Sequence, residues 1–192
     1  MQSILIEKQN RSRAKASGIA LIGYRATGKT TVGEKLAQLL QYDFMDMDTE
    51  ISRREKLNIE EMVRERGWDY FRQVESTLLD ELATRNRIIV STGGGIILHE
   101  QNRETLKKHF FVVWLKASPE TIKKRLAKDL DKLEQRPPLS GKDLLDEVDE
   151  ILQERLKYYK ETAHFSLSTD MLSPTNVTEQ IIKRFKEKVE NA

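Results

Sequence analysis

The chain has 192 residues, no cysteine, a third of its residues charged and a net charge of only +2. Disulfides, thiolate metal sites and a cysteine nucleophile are thereby excluded, and the balanced charge argues against a polybasic nucleic-acid surface or an acidic tail. The length suits one domain with a sizeable core. Residues 1–16 read as a mobile basic leader carrying Arg11, Arg13 and Lys15. Its apolar run, Ile4-Leu5-Ile6, is far too short for a signal sequence or a membrane span. Ile19–Ile22 reads as a short buried strand, and Val32, Leu36, Leu39 and Leu40 recur at helical spacing after it. Between them stands Gly23-Tyr24-Arg25-Ala26-Thr27-Gly28-Lys29-Thr30, which fits G-x-x-x-x-G-K-[ST] in the strand–loop–helix context that a phosphate cradle needs. Glycines let successive N–H groups and the helix N-terminus converge on an anion; Lys29 then reaches the β- and γ-phosphates, and the Thr30 hydroxyl ligates Mg²⁺.

The helix from about Gly28 to Leu40 leads to a second predicted strand, Asp43–Asp46, ending in Asp46-Met47-Asp48. A helical segment follows from Thr49 to about Lys56. Asn58 caps a short helix that Gly67 ends, and a longer one runs from Trp68 to about Thr84. Arg87–Ser91 is the third strand and runs into Thr92-Gly93-Gly94-Gly95. A helix near Glu100 to Lys108, a fourth strand over 110–115, and a Ser118-Pro119 start to a helix through Ile122 and Leu126 come next. The charged stretch 128–142, with Arg136-Pro137-Pro138, has the composition of a mobile flap. Asp143 to about Glu161 reads as a long helix, Phe165–Ser168 as the fifth strand, and Ser173-Pro174 as the start of the last helix. Strands alternating with helices imply right-handed crossovers and a parallel sheet covered on both faces, with ligands at the carboxyl ends of the strands.

That rule brings the cradle, the Asp pair and the glycines to one rim. The third strand ends without an acid, so Asp46 or Asp48 must supply the carboxylate for a metal near Thr30. Asp46 is the better choice because it ends the apolar strand, which leaves Asp48 to accept the proton of an acceptor hydroxyl or to orient it. A plain strand-end turn and helix cap is the structural alternative for the pair. Gly93-Gly94-Gly95 is either a flexible turn or a backbone N–H platform where a β-carbon would collide with the ligand. Arg72 and Arg155 can aim guanidinium forks at an acceptor carboxylate, and Arg136 can fold over the phosphates.

Taken together, Gly23–Thr30, Asp46-Met47-Asp48, Phe71-Arg72 with Glu75, Thr92-Gly93-Gly94-Gly95, Arg136-Pro137, and Arg155 four residues before Tyr159 resemble the shikimate kinase family. The resemblance spans Ile19 to about Thr169. It implies an α/β fold of the P-loop, nucleoside-monophosphate-kinase-like class: a three-layer α/β/α sandwich with a five-stranded parallel sheet in the order 2-3-1-4-5. A single domain over 17–192 would contain a small helical acceptor region at about 46–75 and a mobile lid at about 128–142. The implied reaction is ATP-dependent phosphorylation of the 3-hydroxyl of shikimate in chorismate and aromatic amino acid biosynthesis, with Mg²⁺ as cofactor, in the cytoplasm. By motif position, ATP falls to Arg25, Ala26, Thr27, Gly28, Lys29, Thr30, Thr31 and Arg136, and its adenine to Arg125 or Lys128. Shikimate falls to Asp48, Arg72, Gly93, Gly94, Gly95 and Arg155; the metal to Thr30 and Asp46; catalysis to Asp48, Lys29 and Arg136. No nucleic-acid or membrane partner is expected, and a monomer is the default.

Three departures from the family pattern stand out. Ala26 replaces a usual glycine and is tolerated if its φ is negative. Gly67-Trp68 stands where Gly-Glu is common, and Pro138 follows Arg136-Pro137. The rival readings are another small-molecule kinase, gluconate- or nucleotide-kinase-like, and a non-catalytic nucleotide-binding module.

Overall fold

A computed structural model describes residues 18–128 and 145–190. The predicted leader, all but the first residue of the predicted lid, Arg136 within it, and the first residues of the predicted Asp143 helix lie outside them. Five parallel strands form one sheet: β1 (Gly18–Ile22), β2 (Asp43–Asp46), β3 (Ile88–Ser91), β4 (Phe110–Lys116) and β5 (Phe165–Ser168), in the order β2-β3-β1-β4-β5. The order and the class are those the motifs imply.

Strand alternation sorts the core into two faces. Ile19 and Leu21 of β1 join Val32, Leu36, Val177, Ile181 and Phe185 from α1 (Lys29–Leu40) and the last helix, α7 (Pro174–Glu190). Ala20 and Ile22 face the opposite layer, with α2 (Met47–Glu55), α3 (Ile59–Ala83), α4 (Glu100–His109) and α6 (Val148–Thr162). A third, smaller cluster packs Tyr24 among Ile122 and Leu126 of α5 (Pro119–Lys128) and Val148 and Ile151 of α6.

Two helix starts differ from the sequence reading by more than one residue. Helix α2 begins at Met47 rather than Thr49, because the Asp46 carboxylate caps it by accepting from the Thr49 N–H at 3.2 Å. Helix α6 begins at Val148, after a turn over 145–147, so the leucine register that predicts a start at Asp143 overshoots. Gly67 does break its helix: at φ 84° and ψ 167° it splits α3 into two arms. The first arm is nucleated by a reciprocal capping box, in which the Asn58 side chain accepts from the Glu61 N–H and Glu61 accepts from the Asn58 N–H.

Candidate active site

The phosphate loop leaves β1 and turns into α1. Gly23 (φ 145°) and Gly28 (φ 92°) supply left-handed backbone, and the Thr27 hydroxyl donates to the Tyr24 carbonyl at 2.8 Å. Lys29 is almost wholly buried, and its ammonium donates to the Gly23 and Tyr24 carbonyls, each at 2.9 Å. Ala26 sits at φ 60°, not at the negative value that a harmless methyl group requires. The loop therefore holds an L-residue where glycine is unstrained, at a cost of about 1 kcal/mol.

At the loop's outer end, the Thr30 hydroxyl donates to Asp46 Oδ2 at 2.8 Å. One Asp46 oxygen thus caps α2, as the structural alternative had it, and the other meets Thr30. A hydroxyl and a carboxylate side by side at the phosphate rim are hard oxygen donors that fit Mg²⁺, which takes one or two protein oxygens and completes its shell with phosphate and water. Thr31 is exposed in the first turn of α1.

Beside the loop opens a cleft. Asp48, Arg72, Gly93, Gly94, Gly95 and Arg155 line it together, although they come from four separate stretches of chain. Arg25, assigned to ATP by its place in the loop, lines this cleft too, 4.0 Å from the buried Glu147 at the start of α6. Tyr24, Ile59, Trp68 and Phe71 complete the wall and were not assigned to the acceptor from sequence. Trp68, the departure that bears on the shape of the acceptor pocket, covers the Arg72 guanidinium at 5.2 Å from its ring centre, with Phe71 at 5.0 Å. Arg125 donates to the Ala26 carbonyl, the Thr169 carbonyl and the Thr169 hydroxyl, which ties the phosphate loop to the end of β5. Lys128 stands exposed in the last turn of α5.

Glu75 is the buried partner that the sequence offers only as a neighbour in a motif. It lies three residues after Arg72, the spacing that puts two side chains on one helix face. It accepts from Arg72 Nη1 at 2.6 Å, while its other oxygen has no hydrogen-bond partner among the described residues. Burial pushes Glu75 up to about 6 against the pull of the Arg72 cation, and the Asp48 charge adds to the rise.

The glycines owe their lack of side chains to these groups. A β-carbon on Gly93 would run into Glu75 Oε1 and lie 3.0 Å from Asp48 Oδ1, and one on Gly95 would overlap the Arg72 guanidinium. At Gly93 and Gly95 a β-carbon would thus strike the protein's own charged side chains, whereas at Gly94 it would meet only backbone atoms, at 3.4 Å or more. The Gly94 carbonyl accepts from Tyr159 Oη at 2.6 Å and from Arg155 Nη1 at 3.2 Å. An acid, two cations and a peptide wall thus face a phosphate cradle, an arrangement that can hold a small anionic polyol and deprotonate one hydroxyl. Among the described residues no helix is long and apolar enough to cross a membrane.

The shikimate kinase family model matches residues 25–186. A shikimate kinase of Syntrophus aciditrophicus is 39% identical over 176 residues, covering 88% of this chain and 90% of that protein. One from Nitratidesulfovibrio vulgaris is 42% identical over 152 residues, covering 79% and 86%. Among solved structures, the shikimate kinase of Acinetobacter baumannii in complex with shikimate is similar with a TM-score of 0.83 at 31% identity, covering 92% of this chain and 97% of that one.

Proposed function

The chain belongs to the shikimate kinase family, and from that premise we propose how its residues divide the transfer of the γ-phosphoryl group of ATP to the 3-hydroxyl of shikimate. The enzyme is a phosphotransferase and ATP is its co-substrate. The observation that carries the assignment of roles is the convergence of Asp48, Arg72, Arg155 and the Gly93–Gly95 wall on one cleft beside the phosphate loop.

The loop N–H groups and Lys29 bind the phosphates, and Lys29 exchanges its carbonyl partners for the β- and γ-oxygens. Thr30 and Asp46 would hold Mg²⁺, which when bound would supply charge neutralisation at the phosphates. Arg72 and Arg155 clamp the acceptor carboxylate, so that the ring lies against Ile59, Trp68 and Phe71. Asp48 then accepts the proton of the 3-hydroxyl as its oxygen attacks phosphorus, and ADP leaves with the bridging electron pair. Arg136 meets the transferred charge, a role that rests on its sequence motif alone. Arg125, fixed against the loop and Thr169, suits the adenine side better than Lys128. A cytoplasmic monomer completes the reading: the apolar stripes of α1, α3 and α7 are spent on the two faces of the sheet, except that Leu39 of the predicted α1 stripe points to solvent.

ADP release with ATP and Mg²⁺, measured with shikimate, gluconate and nucleoside monophosphates in parallel, tests the acceptor. Release that depends on shikimate is expected; release with another acceptor alone would move the assignment to a different kinase. Asp48→Asn should keep ATP affinity within about twofold and lose turnover by about 10²-fold or more. Parent-like turnover would remove Asp48 from the role of base.

A further inference from the structure

Tyr159 lines no part of the cleft, yet it is tied to the cleft wall. It is fully buried on α6, one turn beyond Arg155 and on the same helix face. Its ring stacks on Trp114 of β4, with centres 5.5 Å apart and planes 12° from parallel. Trp114 lies opposite Ile22, the residue that leads into the phosphate loop. The phenol O–H donates to the Gly94 carbonyl at 2.6 Å, and Arg155 reaches the same oxygen at 3.2 Å.

A carbonyl oxygen has two lone pairs. While Tyr159 occupies one with the shorter bond, Arg155 takes the other at longer range and lies within reach of the phenol oxygen, which leaves the outer part of its guanidinium lining the cleft. Without the phenol O–H, Arg155 must satisfy Gly94 alone and is drawn down onto the peptide. The Gly94–Gly95 peptide would also lose the bond that sets its tilt beside Arg72. Resting on the shikimate reading above, we propose that Tyr159 is a positioning residue for the acceptor carboxylate: it holds Gly94 so that the Arg155 guanidinium stays presented to the acceptor. Burial pushes the phenol up to about 12, so it remains a donor at every working pH.

The test compares parent enzyme and Tyr159→Phe with shikimate and with its methyl ester, which keeps the hydroxyls and loses the carboxylate charge. The phenylalanine variant should raise KM for shikimate about fivefold, the equivalent of one neutral hydrogen bond, while KM for ATP and kcat stay within about twofold. For the ester the same variant should leave KM unchanged. An unchanged KM for the acid, or an equal rise for acid and ester, overturns the proposal, because the phenol would then be packing only. Trp114→Leu, which keeps the phenol but removes its stacking face, gives a second arm. A smaller rise in KM for the acid, with ATP unaffected, is expected; an equal rise for both substrates overturns the proposal. A parent enzyme that does not phosphorylate shikimate defeats the functional reading by itself, and is seen before any variant is made.

Discussion

Glu75 shows a stability cost and a functional gain on one carboxyl. Raised to about 6 from an ordinary 4.5, it binds its proton more tightly in the folded protein. Its contribution to stability is therefore fully present below about pH 4.5 and is lost as pH rises through 6. Function runs the other way, since Arg72 has an anionic partner only above 6. The Michaelis constant for shikimate should thus rise as pH falls from 7 to 5. Glu75→Gln should raise it at pH 7, flatten that dependence and leave the urea midpoint at pH 7 equal or higher; a variant that lost stability at pH 7 would contradict the assignment of cost. Ala26 makes a simpler case. At φ 60° its methyl group is strained, so Ala26→Gly should stabilise the protein by about 0.5–1 kcal/mol in urea unfolding. The sequence could show that Ala26 departs from the family pattern but not the sign of its φ, which the closing geometry of the loop decides.

Helices and strands were legible where a periodic apolar pattern met a punctuating residue. Asn58, Gly67, Ser118-Pro119 and Ser173-Pro174 all mark boundaries close to those observed. One miss lies where a neighbouring side chain sets the boundary: the Asp46 carboxylate pulls the start of α2 back to Met47. Gly67 is more than punctuation. Its dihedrals lie in a region open almost only to glycine, and the bend sets Ile59 on one arm against Trp68, Phe71 and Arg72 on the other across the same cleft. Gly67→Ala should cost about 1–3 kcal/mol in thermal or urea unfolding and raise KM for shikimate more than KM for ATP. Equal changes in the two constants would show the bend to be structural only.

At the scale of the molecule, the rim predicted from the parallel sheet is the rim where the cleft opens, because β2, β3 and β1 are neighbours and all three deliver their following segments at one end. What pattern could not reach were contacts between distant stretches: Glu147 beside Arg25, Tyr159 on Gly94, and Glu75 under Gly93. None leaves a periodic trace, since each is a single polar residue whose partner is fixed only when the sheet closes. Because the cleft draws on α2, α3, the loop after β3 and α6, a filled cleft should stabilise the fold as a whole. Shikimate at a hundred times its Kd should add about 2.7 kcal/mol to the unfolding free energy, and gluconate at the same concentration close to none. A thermal shift with gluconate matching that with shikimate would refute this selectivity. The wall of glycines carries one more consequence, for inhibitors. A compound seated against it rests on two positions, Gly93 and Gly95, where the usual escape of growing a side chain would displace Glu75 or Arg72 first. Resistance at those positions would disarm the enzyme before it excluded the drug.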